Sequence, residues 1–429
     1  MLKRTSRLSW LIALTVTLLL AAVLVAACGP KTPEAAPATP VPAAMPTDTP
    51  LPTPTATPTP TPVPTPTPDP TFPMGTTHYS YGINADLYYR EDFGVTAEDV
   101  MAYMDDLGVE WVRIQVTWAD IEPEKGNYAW DSLDPVVDAV GGHNRKLLVS
   151  IVRSPEWATA TGGHGMPADP NDLGDFVEAL AARYQGRIQA YEIWNEQNYA
   201  VENDGYVEGA GRYVELLKVA YTRIKAVDFL AMVLFGPLTP TGVNDPTIAI
   251  DDISYLRQAY EYNAGEMRDF FDVLGAHVGG THNPPDTLWP DKPGPFDQWV
   301  NHPTHYFRHV ENIRAVMEEY GDGDKQLWLT EFGWASIEGI ADSAAEGYGY
   351  AANISALVQG DYLAWALSMG RNKYQPWLGN MIIWNLNFST FNVATDEKSA
   401  FSLLRPDWGT RPSYRAVKAH IEEHSEWRP

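Results

Sequence analysis

This chain of 429 residues contains a single cysteine, Cys28, which excludes an intramolecular disulfide. Positive charge is scarce: 30 Lys and Arg stand against 55 Asp and Glu, a formal net charge of −25. A phosphate backbone demands a basic face, so this balance argues against nucleic acid as a partner. No Gly-rich turn follows an early strand, which argues against a doubly wound sheet built to hold a dinucleotide. Metal-ligand spacing is also missing. His305 and His309 stand four apart but have no accompanying carboxylate or third ligand, so no metal and no cofactor are expected. The long apolar run from Leu8 to Ala27 lies at the N-terminus, away from the body of the chain.

Three segments follow from these patterns. Residues 1–28 read as an export signal, with Lys3, Arg4 and Arg7 ahead of the apolar run. The run ends Val25-Ala26-Ala27-Cys28, which resembles the lipobox of bacterial lipoproteins. That resemblance implies lipidation of Cys28, a membrane partner through the lipid anchor, and display of the rest outside the cell. The rival is an uncleaved anchor, since the run approaches the ~20 residues that span a bilayer. Residues 29–73 are a Pro/Thr-rich linker with repeats such as Thr57-Pro58-Thr59-Pro60. Such a composition cannot bury a core and favours polyproline II, which at ~3.1 Å per residue reaches up to ~130 Å.

Residues 74–429 alternate short apolar strands with helical patterns. Strands are expected over 78–84, 109–117, 146–152, 188–195, 231–235, 272–278, 325–330 and 380–385. Helices are expected over 96–107, 131–140, 172–184, 210–227, 252–264, 304–320, 347–368 and 413–423, the first capped by Thr96 and stopped by Gly108. Eight strands, each followed by a helix, predict an α/β fold of the (β/α)8 barrel type, with its chemistry at the C-terminal strand ends.

Two of those ends carry glutamates. The stretch Ile188-Gln-Ala-Tyr-Glu-Ile-Trp-Asn-Glu196 ends the fourth strand, and Lys325-Gln-Leu-Trp-Leu-Thr-Glu331 ends the seventh. A carboxylate pair is what cleavage of a glycosidic bond requires. Alternation in a strand predicts that Glu192, Trp194 and Glu196 share a face, as do Arg113 and Gln115 on the second strand. An Arg under a carboxylate would keep it ionised. The 15 Trp and 22 Tyr suit a sugar-binding groove, although most must belong to the core.

The ordered set Trp194-Asn195-Glu196, Thr330-Glu331-Phe332-Gly333 and Trp384 resembles clan A of the retaining glycoside hydrolases. The stretch from Trp118 to Trp130, with Glu122, Pro123, Gly126 and Tyr128, is similar to families 39, 42 and 5 of that clan. The resemblance spans Tyr79 to Ser425. It implies Glu196 as acid/base and Glu331 as nucleophile; Arg113 nearby would lower the pKa of Glu331, while a neighbouring negative charge and partial burial would raise that of Glu196. It further implies Asn195 on the sugar 2-hydroxyl, Arg113 beneath Glu331, Trp384 as the sugar's floor, His277 at the end of strand six, and Trp118 in the substrate site. One departure stands out: the tyrosine that many members carry shortly after that histidine is missing from His277-Val-Gly-Gly-Thr-His282.

The expected partner is therefore a carbohydrate, with a xylan- or glucan-type β-linkage as the first reading. Two rivals share the same residues. A glycan-binding protein on this barrel would have no need of the glutamate pair, and a transglycosylase would differ only in excluding water from the acceptor. Trp157, Trp289, Trp299, Trp334 and Trp377 are further stacking candidates, and Glu192 is a structural decoy for Glu196. Oligomeric state has no signature in the sequence.

Overall fold

The alternation of apolar strands and amphipathic helices builds a closed ring of eight parallel strands. The computed structural model describes residues 75–90, 92–290 and 302–426. The signal, Cys28, the linker and Trp299 lie outside the described residues. The strands are β1 Ser80–Asn84, β2 Trp111–Thr117, β3 Lys146–Val152, β4 Ala190–Ile193, β5 Met232–Phe235, β6 Val273–Gly279, β7 Gln326–Gly333 and β8 Leu378–Ile383. They pair in chain order, and β8 closes on β1 through Ser80–Asn380 to Ile83–Ile383. The principal helices are α1 Ala97–Leu107, α2 Asp134–Gly142, α3 Pro170–Arg183, α4 Ala210–Val227, α5 Asp252–Glu261, α6 His309–Glu319, α7 Ala356–Met369 and α8 Pro412–His424.

Local chemistry sets the ends of these elements. Thr96 and Asp99 form a reciprocal capping box at the start of α1, and Gly108 ends it at φ 75°, where a side chain would be strained. Two expected helices begin later than their patterns suggest. The one expected from 304 starts at His309, after a separate turn over Pro303–His305, so His305 and His309 do not share a helical face. His309 Nε2 instead meets Asp252 Oδ2 at 2.6 Å. The helix expected from 347 starts at Ala356, where the Ser355 hydroxyl accepts from Val358 N.

Inside the barrel an apolar layer of Trp111, Leu148, Ala190, Leu234, Val273, Trp328 and Ile382 takes one residue from each of β2 to β8. Trp111 and Trp328 meet edge to face at 4.9 Å. The Val, Leu and Ile side chains of this layer each contribute roughly 1.5–3 kcal/mol by burial. Below this layer, Gln326 exchanges two hydrogen bonds with the Thr76 backbone, tying the start of the described domain to β7. Above it the barrel turns ionic.

Candidate active site

The ionic layer is organised by Arg113, two residues above Trp111 on β2 and wholly buried. Its Nε and Nη2 donate to Glu192 Oε1 at 3.0 and 2.6 Å, and Nη2 also to Asn195 Oδ1 at 2.9 Å. Its Nη1 donates to Asn84 Oδ1 at 2.7 Å and to Glu331 Oε1 at 2.6 Å. Burial opposes the guanidinium charge, but Glu192 and Glu331 outweigh it and raise the pKa further. Glu192 is thus the structural partner of Arg113. It fits only because β6 carries Gly275, where a Cβ would stand 2.7 Å from Phe235 O and 3.3 Å from Glu192 Oε2. The structure also brings in Asn84, which the sequence analysis left without a role. Its Nδ2 donates to the carbonyls of Thr330 and Ile383, stapling β1 to both strands beside the site.

Glu331 reaches this layer through a bulge. Along β6 and β7 the register runs Ala276–Leu329 and then His277–Glu331, so Thr330 is an extra residue. Simple alternation from the inward-facing Trp328 would turn Glu331 outward. The bulge re-aims it to the interior beside His277. Glu196 arrives differently. Strand β4 stops at Ile193, and Trp194 and Glu196 adopt φ values of 69° and 49°. The expected parity of Glu192, Trp194 and Glu196 therefore ends at Ile193, and a tight turn replaces it. That turn is stapled to the chain after β5: Glu196 N donates to Pro237 O at 2.9 Å and Gln197 Nε2 to Gly236 O at 2.7 Å. Gly236 permits the approach, because a Cβ there would lie 2.3 Å from Ile193 O.

The two glutamates face opposite edges of one imidazole. His277 Nδ1 lies 3.0 Å from Glu196 Oε1, and Nε2 lies 3.6 Å from Glu331 Oε1. Burial alone would lift Glu196, but the His277 hydrogen bond and charge outweigh it and hold that carboxyl below the ordinary range. Burial also lifts Glu331, and there it prevails over His277 and Arg113, so that carboxyl stands above the ordinary range. This reverses the expected order, and His277 is the reason. Burial works against its cation, yet the Glu331 charge and the Glu196 hydrogen bond prevail and raise its pKa. A proton on Nδ1 stands one hydrogen bond away from the Glu196 carboxylate, so the arrangement can return it to Glu196 when charge at Glu331 is consumed.

The remaining expected residues divide. Asn195 is buried with Oδ1 held by Arg113, which leaves its Nδ2 as a donor for a ligand. Trp384, half-buried just past β8, lines a cavity of about 690 Å³ together with Arg113 and Gln115. Trp118 does not reach the site. It is fully buried, stacks on Phe176 at 5.4 Å and donates Nε1 to Glu122 Oε2 at 2.7 Å. Glu122 also accepts from Gly126 N at 2.7 Å, so the Trp118–Trp130 stretch is a folding staple for the loop after β2. Trp334 is buried too, with Nε1 donated to Asn283 O. Trp157 and Trp377 are half-buried, whereas Trp289 is 39% exposed.

A glycoside hydrolase family 42 model, described as β-galactosidase, matches residues 88–230, a third of the chain that includes Glu196 but not Glu331. The β-galactosidase Bga of Halorubrum lacusprofundi is 25% identical over 124 residues, 28% of this chain and 15% of that protein. A family 39 glycoside hydrolase from Bacteroides cellulosilyticus WH2 superposes with TM-score 0.58 at 20% identity, over 80% of this chain and 63% of that one. The chain therefore spans less than two thirds of either relative's length. A glucosidase from Croceicoccus marinus gives TM-score 0.55 at 15% identity over 82% and 68% of the two chains. Xylanase 10B from Thermotoga petrophila RKU-1 gives 0.52 at 16% over 81% and 94%. A glycoside hydrolase family 42 model thus matches a third of this chain, and the chain shares its barrel fold with solved glycoside hydrolases to which it is similar.

Proposed function

We propose that this chain is a retaining β-glycoside hydrolase that cleaves O-glycosidic bonds of extracellular polysaccharide or oligosaccharide by double displacement. The observation that carries the reading is the pair Glu196 and Glu331 at the barrel mouth, facing each other across His277. In the first step a Glu331 oxygen bonds the anomeric carbon while Glu196 passes its proton to the departing glycosidic oxygen. In the second, Glu196 takes a proton from water, whose oxygen displaces Glu331 and releases the sugar. Arg113 stabilises Glu331 as it leaves, and Asn195 Nδ2 is aimed to donate to the sugar's 2-hydroxyl. Trp384 supplies the ring on which that sugar rests. The protein is exported and held to the membrane by a lipid on Cys28, with the barrel at the end of the Pro/Thr linker.

Xylan- and glucan-type linkages remain the first reading for substrate, and the named β-galactosidase relatives add β-galactosides. The test is turnover of aryl β-xylosides, β-glucosides, β-galactosides and β-mannosides, and of the matching polysaccharides, by the chain from Met74 onward. Wild type is expected to turn over at least one series, with Glu196→Ala and Glu331→Ala each losing ~10³-fold or more in kcat. A folded wild type that binds glycans on an affinity gel yet cleaves none would favour the binding-protein reading instead.

A further inference from the structure

The cavity that holds Trp384 and Arg113 is larger than one sugar needs, and its position shows which end of the substrate it takes. In a ring of eight strands, β8 lies across from β4, whose end carries Glu196. The leaving group departs on the side of the acid, so the β8–β1–β2 side holds the portion of the substrate that Glu331 attacks. The cavity of about 690 Å³ lies wholly on that side, lined from the end of β1, from β2 and its loop, and from the loop after β8. That volume is in the upper half of the roughly 300–1,000 Å³ that accommodate a drug-sized ligand.

Two carboxylates of its lining are uncommitted. Asp120 and Asp131 face the cavity and make no side-chain hydrogen bond or ion pair among the described residues. Rings lead outward from the floor: Trp384 contacts Phe388 at 4.8 Å, and both line the cavity with Phe391. Phe391 in turn meets Phe93 at 5.2 Å. Phe93 is 49% exposed and Tyr89, four residues before it, 62% exposed. Carboxylates accept from sugar hydroxyls, and rings pack on the C–H faces of pyranoses. Three carboxylates, Asp86, Asp120 and Asp131, and three cationic side chains, Arg90, Arg113 and Lys398, line the cavity, a balanced set that suits a neutral glycan.

We infer that the substrate is a neutral glycan with at least two sugar units on the non-reducing side of the bond that is cut. The protein therefore releases oligosaccharides from within a chain or from its end, and does not trim single sugars as an exo-acting galactosidase does. This deepens the hydrolase reading and rests on it.

The test uses aryl β-glycosides of one sugar and of two in the xylo, gluco, galacto and manno series. The aryl group fills the leaving side, so the added sugar extends only the side in question. For the best series, kcat/KM is expected to rise about tenfold or more from one sugar to two. In the double variant Asp120→Ala/Asp131→Ala that ratio is expected to fall at least about fivefold, with an unchanged thermal midpoint. Equal kcat/KM for one and two sugars, with monosaccharide as the only product, would overturn the inference and leave the hydrolase reading intact. Calorimetric titration of Glu331→Gln with the mono- and tetrasaccharides separates the two ideas further. No turnover by wild type, with affinity that climbs from one sugar to four, would overturn hydrolysis and keep the groove. Affinity that does not climb would overturn the groove.

Discussion

With Nδ1 at 3.0 Å from Glu196 and Nε2 at 3.6 Å from Glu331, the His277 ring decides how the two carboxyls share a proton. Its raised pKa places the proton that Glu196 must donate on the more basic member of the pair. The basic limb of the kcat/KM profile then reports loss of a proton held above the ordinary histidine value of ~6.5. Replacing His277 by Asn leaves that proton to Glu196 alone, a carboxyl raised only by burial. The basic limb is therefore expected to move to lower pH by about one unit or more, with little change in the thermal midpoint. An unmoved limb would assign His277 a packing role only. The positions of Asn195, Glu196 and Glu331 were legible in the sequence because polar residues there end apolar strands, and Arg113 because it is a charge inside one. The sharing of a proton was not, because it depends on which side of one ring each carboxyl falls.

Among the elements, the eight strands and eight helices were legible from periodicity, and Thr96 and Gly108 from capping chemistry. What escaped was irregular backbone. The bulge at Thr330 and the left-handed Trp194 and Glu196 both interrupt alternation at the point where the chemistry is assembled. A parity argument assumes regular pleating and fails there by construction. The loop after β2 carries a different lesson. Its motif aligned Trp118 with a substrate role, yet the indole is buried and committed to Glu122. Glu122→Ala would orphan the Trp118 Nε1 and Gly126 N donors and is expected to cost about 2 kcal/mol. A shift of the urea midpoint would report it, whereas a loss of turnover without loss of stability would return the loop to the substrate site.

For the whole molecule, length and charge bounded the answer before any motif did. A formal charge of −25 suits a neutral partner, and some 355 residues of alternating elements suit a closed barrel better than an open sheet. Closure is what brings residues 135 positions apart in sequence to opposite edges of one imidazole. The turn after β4 supplies Glu196, β7 supplies Glu331, and β2 supplies the Arg113 that donates to Glu331. The central claim is that Glu331 forms the covalent bond to sugar. Glu331→Ala assayed on an activated aryl glycoside with added azide tests it most directly. Restored turnover and a glycosyl azide of anomeric configuration opposite to the substrate are expected. Rescue at Glu331 that gives no such azide, or rescue with this stereochemistry only in Glu192→Ala, would contradict it.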